Sequence, residues 1–148
     1  MALVQIGDDQ LERQLRLLVA AGSRQAGLAL VSHLQKKLNV SARVGAAKSG
    51  RRRGGRSFTY QASRPGEPPR KRTGTLQKSV ESRVELEPRG VVTLIGSKVP
   101  YAKWLEYGTR RMQPRPWLRP GTNEFLNRFH RIVFDLVKSS LDQLVRLR

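Results

Sequence analysis

The stretch from Arg43 to Arg72 cannot furnish a hydrophobic core, and that limits what the rest of the chain can build. It holds ten lysines and arginines, with Glu67 as its single acid, and large apolar side chains are nearly missing. Such a segment cannot bury enough surface to offset the entropy of ordering it. The expectation is a long basic extended loop over 43–72, interrupted by a short strand where Ser57-Phe58-Thr59-Tyr60-Gln61 alternates. The core must therefore come from the flanks. With 148 residues in all, the chain suits one domain.

The first flank reads as a helix over 9–38. Leu11, Leu15, Leu18, Val31, Leu34 and Leu38 recur at three- and four-residue steps, the period of one helical face. Asp8 or Asp9 can cap its start, and Asn39 can end it. Gly22 and Gly27 lie inside it. Each weakens a helix interior by about 1 kcal/mol relative to alanine, so either a kink or a close neighbour is implied. The last flank reads as a helix over 121–145. Phe125, Phe129, Ile132, Val133, Leu136, Val137 and Leu141 keep one face apolar.

Between the basic stretch and the last helix, the 73–120 region is more varied. Thr73-Gly74-Thr75-Leu76-Gln77-Lys78-Ser79 reads as a turn at Gly74 feeding a short helix. Val80 to Leu86 and Gly90 to Gly96 read as two strands about the turn Glu87-Pro88-Arg89-Gly90, a β-hairpin. Pro100 can open a short helix through Trp104, stopped by a turn at Gly108. Helices flanking a hairpin make an α+β fold: a small antiparallel sheet with long N- and C-terminal helices and a long basic loop.

The window Pro100 to Pro120 reads PYAKWLEYGTRRMQPRPWLRP and contains both tryptophans and two of the three tyrosines. Aromatics and arginines on a proline-stiffened segment are the usual material of protein–protein contacts. Either tryptophan alone reads as a core residue. Glu106 sits among Trp104, Leu105 and Tyr107 in an arginine-rich chain. It reads either as an ion-pair partner of Arg110, Arg111 or Arg115, or as an exposed carboxylate.

Five pieces in order carry a resemblance: Arg64-Pro65-Gly66-Glu67-Pro68-Pro69; Thr73-Gly74-Thr75-Leu76-Gln77-Lys78-Ser79; Val92-Thr93-Leu94-Ile95-Gly96-Ser97; Tyr101-Ala102 with Leu105-Glu106-Tyr107-Gly108-Thr109; and Arg115-Pro116-Trp117-Leu118-Arg119-Pro120. Together they resemble the small tail-completion or neck proteins of long-tailed bacteriophages. Arg70-Lys71-Arg72 stands where that pattern commonly has Val-Asp, Trp117 stands where phenylalanine is usual, and the insert before Pro65 is longer and more basic. The resemblance implies a virion structural protein at the head–tail junction, not an enzyme, made in the host cytoplasm. It implies a homohexameric ring that meets head-closure or connector subunits on one side and tail-terminator or tail-tube subunits on the other. Genomic DNA or the tape-measure protein would occupy its channel. Tyr101, Trp104, Glu106, Tyr107, Arg115, Trp117 and Arg119 would then form the subunit interface.

Charge points to an acidic partner without choosing it. The net charge is +18 and the isoelectric point about 11.6, which suits nucleic acid or an acidic protein surface. Arg51, Arg52, Arg53 and Arg56, with Arg70, Lys71 and Arg72, are the expected partner-facing cations. A free nucleic-acid-binding protein of the ribosome- or nucleoid-associated kind is the alternative reading. Catalysis is not expected, because no base–nucleophile pairing or phosphate-loop spacing is present. His33 and His130, the only histidines, lack further ligands at metal-binding spacing, so no metal or cofactor is expected. Cysteine is absent, which removes disulfide and thiolate chemistry. Nothing at the start has the form of a secretory signal, and no apolar run reaches membrane-spanning length, so no membrane contact is expected.

Overall fold

Helical periodicity at both ends and strand alternation between them produce the expected α+β fold in a computed structural model, which describes residues 8–40, 48–51, 57–60 and 62–146. In chain order it has α1 (Asp8–Leu38), β1 (Lys48–Arg51), β2 (Ser57–Tyr60), α2 (Thr75–Lys78), β3 (Val80–Glu87), β4 (Gly90–Ser97), α3 (Ala102–Tyr107) and α4 (Leu118–Arg146). The strands form two separate antiparallel pairs, β1 with β2 and β3 with β4. Among the described residues no helix is long and apolar enough to cross a membrane.

Three local expectations change. The basic stretch is not all loop: β1 pairs with β2, Lys48 opposite Tyr60 and Arg51 opposite Ser57. The alternation at 57–61 announced β2, but Lys48-Ser49-Gly50-Arg51 has no apolar alternation to announce its partner. Arg52, Arg53 and Arg56 lie outside the described residues. The last helix begins at Leu118 rather than near Gly121, so Pro120 falls in its first turn. There a missing N–H costs nothing, because first-turn N–H groups have no partner within the helix. Finally, Leu11 is 47% exposed. The buried face of α1 keeps the expected Leu34 and Leu38 and reaches them through Ala20, Ser23, Ala26 and Leu30.

The chain divides into two compact units, each built from discontinuous segments. The first comprises residues 1–30, 82–95 and 125–148. Its buried side chains include Ala20, Ala26, Leu30 and Phe125, and the small ones on α1 let neighbours approach closely. A Cβ on Gly22 would stand 3.2 Å from the Val133 Cα of α4. A Cβ on Gly27 would stand 2.9 Å from the Ser82 Oγ of β3. The helix-weakening glycines are thus the points where α4 and the β3–β4 hairpin pack against α1.

The second unit comprises residues 31–81 and 96–124, with Leu34, Leu38, Leu76, Val80, Ala102 and Trp117 buried. Here a Cβ on Gly121 would collide with Leu34 Cδ2, so the first turns of α4 lie directly on the end of α1. Lys37 Nζ reinforces that contact by donating to both Glu124 carboxylate oxygens. This bond lowers the Glu124 pKa, with lesser help from the Lys37 charge and His33.

Two predictions follow from this packing. Gly22→Leu forces the helices apart and should lower the denaturant midpoint, at a cost of about 1–3 kcal/mol, with little change in m. The Glu124 contact is present above the ordinary glutamate pKa and is lost as pH falls through the lowered folded value. An NMR titration of Lys37→Met should accordingly show the Glu124 pKa moving upward, and an unmoved value would refute the pairing.

Candidate functional site

The second unit gathers four of the five sequence pieces that carried the resemblance, together with the last two residues of the fifth. Within Thr73–Ser79, Gly74 adopts φ 81° and ψ 3°, the left-handed conformation, immediately before α2. Gln77 Nε2 donates to the Gln35 carbonyl at the end of α1. Ser79 Oγ lies 2.7 Å from Ser97 Oγ, which closes the open end of the β3–β4 hairpin. Gly66 N donates to the Pro114 carbonyl at 3.0 Å, bringing the Arg64–Pro69 piece against the loop that follows α3.

That loop is folded back on α3. Gly108 N donates to the Trp104 carbonyl, and Thr109 and Met112 exchange backbone hydrogen bonds. Gly108 itself has φ 78° and ψ −176°. This differs from the left-handed helix terminator expected of a glycine there, but it is a conformation essentially reserved to glycine. A Cβ would also stand 2.8 Å from the Met112 carbonyl oxygen. The chain then returns along α3, where Arg115 N donates to the Leu105 carbonyl at 2.7 Å.

Glu106 completes the turn. Its Oε2 accepts from Trp117 N at 2.7 Å and from Leu118 N at 2.9 Å, while Oε1 accepts from Arg119 N at 2.9 Å. The carboxylate thus caps the N-terminus of α4 from another helix. Three otherwise orphaned donors are satisfied, and a negative charge faces the positive end of the helix dipole. Neither an arginine ion pair nor an exposed carboxylate describes it, since Glu106 is only 9% exposed. Oriented N–H groups at a helix start outcompete a mobile guanidinium because their position costs no further side-chain entropy.

The seven expected interface residues consequently separate. Trp117 is 4% exposed and directs Nε1 to the Ala102 carbonyl. It and Glu106 belong to the interior of the protomer, which corrects their assignment as contact residues. Tyr101, Trp104 and Tyr107 are 37%, 49% and 70% exposed. They recur every three residues along α3, and the Arg119 guanidinium carbon lies 6.0 Å from the Tyr107 ring centre. These four form an exposed aromatic and cationic face on a backbone that Glu106 holds in place. Arg115 is half-buried.

Beside this face lies a cavity of about 440 Å³. Arg70, Lys71, Arg72 and Arg115 line it, above the aliphatic side chains of Leu38, Leu76 and Leu105. Three of those cations were expected to face an acidic partner, and the structure adds Arg115 to them. The aliphatic floor was not legible in the sequence. Leu38 and Leu76 read there only as ordinary helical positions, far apart in the chain. Arg51 lies in β1 through its backbone pairing with Ser57. Among the described residues no group of three or more His, Asp or Glu side chains is placed to hold a metal.

Set against protein-family models, curated proteins and solved structures, the chain matches none of them.

The cap gives a direct prediction. Glu106→Ala should destabilise the fold by about 2–4 kcal/mol, since it strands donors that a charged acceptor had satisfied. Glu106→Gln keeps one acceptor oxygen and should fall between the alanine variant and the parent in chemical denaturation. Parental stability in the alanine variant would disprove the cap.

Proposed function

We propose that this chain is a non-enzymatic structural subunit of a long-tailed bacteriophage neck, assembling as a ring that completes the tail and joins it to the head. The carrying observation is the mutual packing of the resembling pieces. Segments that share a motif order with neck proteins also contact one another here: Ser79 with Ser97, Leu105 with Arg115, and Glu106 with Trp117 to Arg119. They lock α3 so that Tyr101, Trp104 and Tyr107 stand on the surface. Rigid exposed aromatics lose little conformational entropy on docking, which favours an oligomer contact. In this reading the partners are further copies of the chain, head-closure subunits and tail-terminator or tail-tube subunits, with DNA or the tape-measure protein in the channel.

The alternative, a free nucleic-acid-binding protein, draws on the net charge of +18. The two readings separate on oligomeric state. Trp104→Ala with Tyr107→Ala removes exposed rings, so each change should alter stability by no more than about 0.5 kcal/mol. In light scattering the parent should behave as a multimer and the double variant as a smaller species. A monomeric parent that binds DNA with a steep salt dependence would favour the alternative.

A further inference from the structure

We propose that the cavity walled by Lys71 and Arg115 binds an acidic peptide segment of a partner protein. A carboxylate would sit on the two cations and an adjacent apolar side chain on the leucine floor. Arg115 carries the inference. Its Nε is buried and has no hydrogen-bond partner among the described residues, and its side chain lines the cavity. Buried donors are normally satisfied, and an unsatisfied one calls for a ligand or a water. A guanidinium offers several donors in a fixed plane, which matches a carboxylate. The backbone of Arg115 is already fixed by its bond to the Leu105 carbonyl, so little further ordering is needed.

Lys71 is held in the same manner. Its N–H donates to the Val40 carbonyl and its Nζ to Asn39 Oδ1 at 2.9 Å. An ammonium has three donors, so others remain for a ligand. Arg70 Nη2 lies 3.9 Å from Glu67 Oε2, and Arg72 adds to the positive field. The volume of about 440 Å³ lies within the usual range for a ligand site.

The lining chooses among anions. Nucleic-acid strands bind on open basic grooves with several aromatic platforms. This cavity is concave, floored by leucines, and has Tyr101 as its aromatic ring. A second copy of the chain is a poor occupant of this site, since its 11 acidic residues against 29 basic ones give it little acidic segment to offer. The site would serve an acidic partner whether the chain works in a ring or alone.

The test is fluorescence anisotropy with a labelled short peptide alternating aspartate and leucine, compared with its asparagine–leucine counterpart. The aspartate peptide should bind the full chain, and the asparagine peptide should bind about tenfold or more weakly. Arg115→Gln and Lys71→Gln should each lose a similar factor. Arg89→Gln, which removes the same charge from the β3–β4 turn, should bind like the parent. Lys71 is exposed, so its variant reports on the site even if Arg115→Gln melts early. Three results would overturn the proposal: equal binding of the two peptides; an equal loss in Arg89→Gln; or displacement of the peptide by a single-stranded oligonucleotide whose own binding also depends on Arg115.

Discussion

The carboxylate of Glu106 is the contact on which the second unit depends. A long helix beginning at Leu118 needs its first N–H groups satisfied, and no Ser, Thr, Asp or Asn precedes it to do so. Glu106 supplies the acceptor from α3 and spans both ends of the exchange, with Oε2 on Trp117 and Leu118 and Oε1 on Arg119. This fixes α3 against the start of α4 and seals Trp117 beneath Ala102. It also determines which side chains remain outside. With the carboxylate turned inward, Tyr101, Trp104 and Tyr107 are left on the surface.

Charge is distributed around that frame with some economy. The second unit buries one carboxylate against backbone donors and sets Glu124 on Lys37, which lowers the Glu124 pKa. Several of its cations gather at one cavity beside the aromatic face. Apolar anchoring and acidic recognition can therefore be separate properties of neighbouring surfaces. A ring contact through the aromatics would leave the cationic cavity for a partner of opposite charge.

Elements with a strong period were legible in the sequence. The repeat of leucines gave α1, and the turn at Glu87–Gly90 gave the β3–β4 hairpin. Others were not. β1 has no alternation of its own, and its pairing with β2 is a non-local fact. The start of α4 was obscured by Pro116 and Pro120, which look extended as sequence but are tolerated at a helix entrance. For Glu106 the composition offered either an arginine partner, because arginines are abundant nearby, or exposure to solvent. The helix start won because its donors were already oriented and partly sheltered.

Sequence alone determined the fold class, the strong positive charge, and the turns at Gly74 and Gly108, since these depend on local periodicity and composition. The tertiary structure decided which aromatics face outward, why Gly22 and Gly27 stand within α1, and that Arg115 joins Lys71 at one cavity. Each of those depends on atoms brought together from distant parts of the chain. Glu106 and Trp117 are eleven positions apart, and Gly22 meets Val133 across most of the sequence. Local propensity carries no record of such pairs, because their energies exist only once the chain has folded.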